Sequence, residues 1–183
     1  MYKRQLIDKA LLELSPLPGD CGDEYRKPPF LTAIGDLSHH LTSMPKAFEA
    51  TRVDGRPGRL RVSSGSYFEP IGGYSRAVRV DNRVLVSGTT ATNGANEIVC
   101  PGDPAAQTTF ILDKIAASLA PLGATLEDVV RTRVYLRDAS KWEPVARAHG
   151  RYFGATRPAN TMLEIARLIG DYEVEIEAEA IVD

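Results

Sequence analysis

From Glu173 to Val182 the chain reads EVEIEAEAIV, so Val174, Ile176, Ala178, Ala180 and Val182 alternate with Glu173, Glu175, Glu177 and Glu179. A period of two sends successive side chains to opposite faces of a strand and does not fit the 3.6-residue period of a helix. This segment therefore demands a sheet with one packed apolar face and places four glutamates together on the other. The preceding hundred residues supply the rest of such a sheet and something to cover it. Ser75–Val80 alternates polar and apolar residues, Asp81-Asn82 suits a tight turn, and Arg83–Ser87 resumes the strand, which predicts a hairpin. Asp103 before Pro104 is an N-cap with Pro at the first helical position; Ile111, Leu112, Ile115, Leu119 and Leu122 follow at helical spacing, and Gly123 provides a stop.

Thr125 with Asp128 has the form of a capping box, and Val130–Leu136 alternates as a strand. Ser140 with Glu143 predicts a second capping box. It opens a helix whose inward face is Trp142, Val145, Ala146, His149 and Phe153, with Gly154 at its end. Thr161–Leu168 and Glu173–Val182 complete the series as strands. The order ββαβαββ predicts an α+β domain over 61–183, a mixed sheet with two helices packed on one face. The other face needs cover, which a partner subunit can supply.

Residues 1–60 read differently. SPLPGDCGDEYRKPPF and RVDGRPGRLRV carry Pro, Gly and charge without sustained periodicity, as irregular polypeptide does. Only Leu6–Leu14 has the spacing of a short helix. Met44 is an alternative start, which makes the segment before it a candidate artefact of gene calling, and His39 and His40 read as solvated loop residues. No apolar run approaches bilayer length and the N-terminus has no signal-peptide core, so a cytoplasmic protein without membrane contact is expected. A formal net charge of -2 argues against nucleic acid as partner. The two cysteines, Cys21 and Cys100, lie far apart in sequence without a Cys or His at ligand spacing, and are expected as free thiols with no metal site.

Self-sufficient catalytic motifs are missing: there is no phosphate-binding glycine loop, dinucleotide fingerprint, metal helix or nucleophile elbow. His149 lies among the apolar positions of a helix and reads as a packed histidine. What stands out is an ordered set of segments: IGGYSRAV from Ile71, VLVSGT from Val84, AAQTTFILDKI from Ala105, LGATLEDVVRTRVYLRD from Leu122, YFGATRPAN from Tyr152 and IARLIGDYEVEIEAEA from Ile165. Together, from about Ser66 to Asp183, they resemble the Rid family, the reactive intermediate deaminases also called YjgF or liver perchloric-acid-soluble protein homologues. The resemblance implies a chorismate-mutase-like fold and a homotrimer with small-molecule pockets between subunits. It also implies hydrolysis of enamines and imines such as 2-aminoacrylate without metal or organic cofactor. An arginine grips the substrate carboxylate, a glutamate handles water, and backbone beside a Ser-Gly pair completes the pocket.

Carried over by position, the resemblance makes Glu175 the catalytic, water-handling residue and Tyr74, Ser87 and Gly88 substrate-binding. Each also has a plain reading: a strand end for Ser87 and Gly88, packing for Tyr74, one more solvated acid for Glu175. The chain departs from the pattern where active deaminases read Pro-Ala-Arg, for here stand Pro158, Ala159 and Asn160, with Met162 where Cys is frequent. An amide lacks the charged fork of a guanidinium. Its loss at a buried carboxylate costs about 2–5 kcal/mol. Either Arg157, Arg76 or Arg133 replaces the charge, or the ligand is uncharged and Asn160 with Glu175 recognises an amide, hydroxyl or neutral carbonyl; Asn160 and Met162 count among the substrate-binding positions in both cases. The expectations are accordingly a Rid-like hydrolase of a small C–N metabolite that is not a standard 2-aminoacrylate deaminase, or a non-catalytic metabolite-binding or regulatory trimer.

Overall fold

The computed structural model describes residues 48–183; the expectations for Leu6–Leu14, Cys21, His39, His40 and a start at Met44 lie outside the described residues. Strands β1 (Ala50–Val53), β2 (Arg56–Val62), β3 (Ala77–Val80), β4 (Arg83–Thr90), β5 (Val129–Leu136), β6 (Ala159–Glu164) and β7 (Val174–Ile181) form one mixed sheet in the order β1-β2-β3-β4-β7-β5-β6. Only β5 and β6 run parallel among these neighbours. Helices α1 (Phe68–Gly72), α2 (Pro104–Leu119) and α3 (Trp142–Phe153) complete the α+β, chorismate-mutase-like fold.

The alternation of β7 places Val174, Ile176, Ala178 and Ala180 in the core, where they join Val84 and Val86 of β4 and Ile111, Leu112, Ile115 and Leu119 of α2. Burying each such Leu or Ile contributes about 1.5–3 kcal/mol relative to exposure, so this layer dominates the stability of the domain. Two predicted caps form: Asp103 accepts from Ala106 N–H at 3.0 Å, and the Thr125–Asp128 capping box closes a short 3-10 turn. Asp81 takes a φ of 54° in the β3–β4 turn and Gly123 one of 73° after α2, as the sequence requires of both.

Several expectations are corrected. Arg52–Val62, expected to be irregular, makes the β1–β2 hairpin, with Asp54 and Gly55 (φ 69°) as its two-residue turn. Its strands are exposed apart from Val53, Leu60 and Val62, so no sustained apolar alternation marks them. Pro57 is tolerated beside a register shift at Arg52/Val53. The Ser140–Glu143 box does not form, because Asp138 accepts from Ser140 N–H at 2.9 Å while Glu143 pairs with Arg147 one turn on. Trp142, placed on the inward face, is exposed. Gly154 keeps a right-handed conformation, and the positive φ after α3 falls on Arg157. The predicted strand Thr161–Leu168 spans Ala159–Glu164 instead. Cys100 is disulfide-bonded rather than free, since separation along the chain does not measure separation in the fold.

Candidate active site

Strands β4 and β7 pair in register on both sides of Val86 and Thr89, and the register shifts between them. Ser87 and Gly88 thus occupy a bulge, the device that re-aims backbone beside functional sites. The bulge brings Gly88 against Glu175: a Cβ on Gly88 would lie 2.0 Å from Glu175 Oε1. Only glycine admits the carboxylate in this position. Ser87, in contrast, turns its hydroxyl away and donates to Ser75 C=O at 2.8 Å.

The three glutamates of β7 share a face but not an environment. Arg133 Nη1 lies 2.9 Å from Glu179 and 3.2 Å from Glu177, and Arg83 lies 3.7 Å from Glu179. Glu173, just before β7, is buried between Arg137 and Lys141. Among the described residues no ion pair or hydrogen bond engages the Glu175 carboxylate. Burial raises its pKa above the usual carboxylate range, Arg76 opposes that shift, and neighbouring Glu177 adds to it. A carboxylate without a partner, held partly out of water, is basic for its class and suited to taking a proton from water.

Arg76 is a residue for which the sequence offered only a role as replacement charge. It is 5% exposed, and its Nη2 donates to Ser87 C=O at 2.6 Å and Gly88 C=O at 2.5 Å. Its guanidinium is therefore engaged behind the bulge, while Arg133 is engaged by Glu177 and Glu179. Glu69 of α1, also buried, accepts from Ser64 N–H at 2.9 Å, Ser64 Oγ at 2.6 Å and Ser63 Oγ. Tyr74 follows α1, partly exposed, with its N–H on Glu69 C=O at 3.2 Å. In the sequence Arg76 is one charge within a strand-like segment and Glu69 lies where no element was expected; nothing there showed that both are buried.

Asn160, Met162 and Arg157 are not brought to Glu175 within one protomer. Directly paired residues share a face of a sheet; Asn160 pairs with Thr132, itself paired with Ala178 of the buried face, whereas Glu175 pairs with Tyr135 on the opposite face. Asn160 Nδ2 donates to Thr132 Oγ1 at 2.8 Å, and Thr132 Oγ1 is 2.9 Å from His149 Nε2. His149 packs on Phe153, ring centroids 4.6 Å apart, and burial lowers its pKa, so it anchors Thr132 and Asn160 and is more than core packing. Met162 packs against the core, and Arg157 donates to Gly154 C=O at 3.2 Å. A cleft of about 1090 Å³ lies elsewhere, lined by Arg137, Leu168, Ile169, Asp171 and Tyr172 among others, and includes none of the expected site residues. Among the described residues no group of three or more His, Cys, Asp or Glu is arranged to hold a metal ion, and no helix is long and apolar enough to cross a membrane.

Residues 65–182 match the sequence profile described as Endoribonuclease L-PSP. The chain is 36% identical over 112 residues to a RutC family protein from Pyrococcus abyssi, covering 61% of this chain and 88% of the relative. It is 33% identical over 111 residues to the 3-aminoacrylate deaminase RutC of Acinetobacter baylyi, with the same coverage of each chain. Among solved structures, a member of the highly conserved YjgF/YER057c/UK114 family from Mycobacterium tuberculosis is similar at 48% identity. Its TM-score is 0.61 over 68% of this chain and 99% of that one. The YjgF gene product of E. coli follows at 34% identity and a TM-score of 0.56, covering 61% and 89%.

Proposed function

The chain belongs to the Endoribonuclease L-PSP family, which is the YjgF/RutC or Rid family, and from that membership we propose that it is a hydrolase of a small imine or enamine, or a related C–N compound, working in pockets between the subunits of a homotrimer. The observation that carries the reading is the unpartnered Glu175 carboxylate seated on Gly88. In the proposed reaction an enamine tautomerises to its imine, and Glu175 takes a proton from water as the oxygen adds to the C=N carbon. Return of protons to nitrogen releases ammonia and leaves a carbonyl, so that R₂C=NH and H₂O become R₂C=O and NH₃. No cofactor is needed for that balance.

Asn160 narrows the substrate. Placed on edge strand β6, it reaches a Glu175 only across a subunit boundary, as a trimer with intersubunit pockets requires. There it offers an amide already held by Thr132 and His149, which gives neutral hydrogen bonds and no countercharge for a carboxylate. A ligand that is uncharged at this end fits better than 2-aminoacrylate. The same amide supports a second reading, a trimer that binds a metabolite without turning it over. Both predict weak or no hydrolysis of 2-aminoacrylate-type imines by the wild type, measured as ammonia or keto-acid release. The hydrolase reading further predicts that Asn160→Arg raises that rate at least tenfold, about 1.4 kcal/mol, and that Glu175→Gln in the same background removes the gain. Robust deamination by the wild type overturns the reading of Asn160; no gain from Asn160→Arg favours the binding trimer.

A further inference from the structure

Behind the Ser87–Gly88 bulge lies a cluster of buried charge that the reaction above does not use. In a regular strand successive carbonyls point to opposite sides, yet Ser87 C=O and Gly88 C=O both turn to one atom, Arg76 Nη2. The described peptide bonds are all trans. In a planar trans peptide the N–H opposes the C=O, so the N–H groups of Gly88 and Thr89 both turn away from the Arg76 guanidinium. The bend that lets the carboxylate rest on Gly88 is thus fixed from behind by one guanidinium.

The same guanidinium has few other direct partners. Its Nε is buried and has no hydrogen-bond partner. Arg76 forms no ion pair within 4 Å among the described residues, and its charge is balanced at longer range by the carboxylates of Glu69 and Glu175. Glu69 is fixed by Ser63 and Ser64. Lys114 of α2 lies within the field of Arg76 and Glu69 and donates to Thr92 C=O at 2.9 Å, on the loop that follows β4. Arginine suits this place because it stays charged when buried and directs several donors in a fixed plane. Lysine or glutamine reproduces one of those properties at most.

We propose that Arg76 is the positioning residue of this site: it holds the Ser87–Gly88 bulge in the shape that seats Glu175 and supplies the positive charge that faces the Glu175 carboxylate. The proposal rests on Glu175 as the working acid, but its test does not require turnover. The groups facing Glu175 are Arg76, Glu177 of its own strand and Tyr135 of β5. Only the first is a cation, so removing it acts in one direction.

The test is a pH titration of the Glu175 carboxyl carbon by NMR in the full chain, assigned with Glu175→Gln, together with hydrogen exchange of the Gly88 and Thr89 amides. Arg76→Gln is expected to raise the Glu175 midpoint by roughly one pH unit or more. Arg76→Lys keeps the charge and is expected to stay near the wild-type midpoint. In both variants the Gly88 and Thr89 amides are expected to exchange about tenfold faster, as local opening loses a constraint. An unchanged midpoint in folded Arg76→Gln overturns the proposal. Should Arg76→Gln fail to fold, Arg76→Lys decides, and unchanged exchange at Gly88 and Thr89 overturns it. A wild type inactive on every imine, with these shifts observed, counts against the hydrolase reading and leaves the role of Arg76 standing.

Discussion

At the scale of single residues, Glu175 works against the stability of its own domain. Burial and Glu177 hold its folded-state pKa above the unfolded value, so the native state binds the proton more tightly. The resulting penalty is fully present at pH above both values, shrinks as pH falls through the folded pKa, and vanishes below the unfolded one. Glu175→Gln is therefore expected to raise the melting temperature at neutral pH while removing turnover, and the stabilisation is expected to disappear below about pH 4. Calorimetry of both proteins at three pH values checks this; a variant less stable than wild type at pH 7 contradicts it. The sequence made Glu175 and Gly88 legible through family resemblance, but not the reason they differ from Glu177 and Ser87. That reason is the bulge, a shift of register visible only once β4 and β7 are paired. Arg76 escaped for the same cause: a guanidinium that bonds two main-chain carbonyls leaves no pattern in a string of residue types.

Among the elements, those that bury an apolar stripe were readable and those that do not were missed. Helix α2 and strands β4 and β7 follow their hydrophobic periods closely, and β5 does so from Thr132 onward, Val130 being exposed beside a register shift, because water enforces the pattern. The β1–β2 hairpin buries only Val62 completely, so its sole strong signal was the Asp54-Gly55 turn. Residues before the hairpin are proposed to add little to the core, and the hairpin itself is expected to matter because it covers the edge of β3. A chain beginning at Met44 should melt within about 2 °C of the full chain in reducing buffer, where the full chain's Cys100 disulfide is open and the shorter chain has none; a change of that size corresponds to about 0.5–1 kcal/mol. A chain beginning at Ser64 loses Val62 from the core and should fall by several degrees, with loss of a buried valine contributing roughly 1.5–3 kcal/mol. Equal melting of all three chains would show that the hairpin is an ornament on the sheet. Loss of folding on starting at Met44 would show that the earlier residues belong to the domain.

For the whole molecule the open question is what covers the second face of the sheet. Helices α2 and α3 occupy one side, while Leu85, Leu163 and Ile181 remain 41–44% exposed; register places Leu85 and Leu163 on the face opposite the helices. A surface of that kind is suited to a second copy of the chain. Light scattering at micromolar concentration is expected to give three protomer masses; a clean monomer removes the proposed intersubunit pocket and with it the proposed meeting of Asn160 with a neighbour's Glu175. Strand β7, interior to the sheet between β4 and β5, is also the last of its strands in chain order, pairing Arg83 with Ile181 and Val129 with Ala180. During synthesis β1–β4 and β5–β6 emerge as two separate half-sheets with unsatisfied inner edges, and neither can close until the final segment arrives. Such long-range closure is slow and leaves strand edges open to wrong partners. The charges that alternate along Glu173–Glu179 then have a second use before any chemistry begins: they keep the last strand soluble and out of other sheets while it waits for its place.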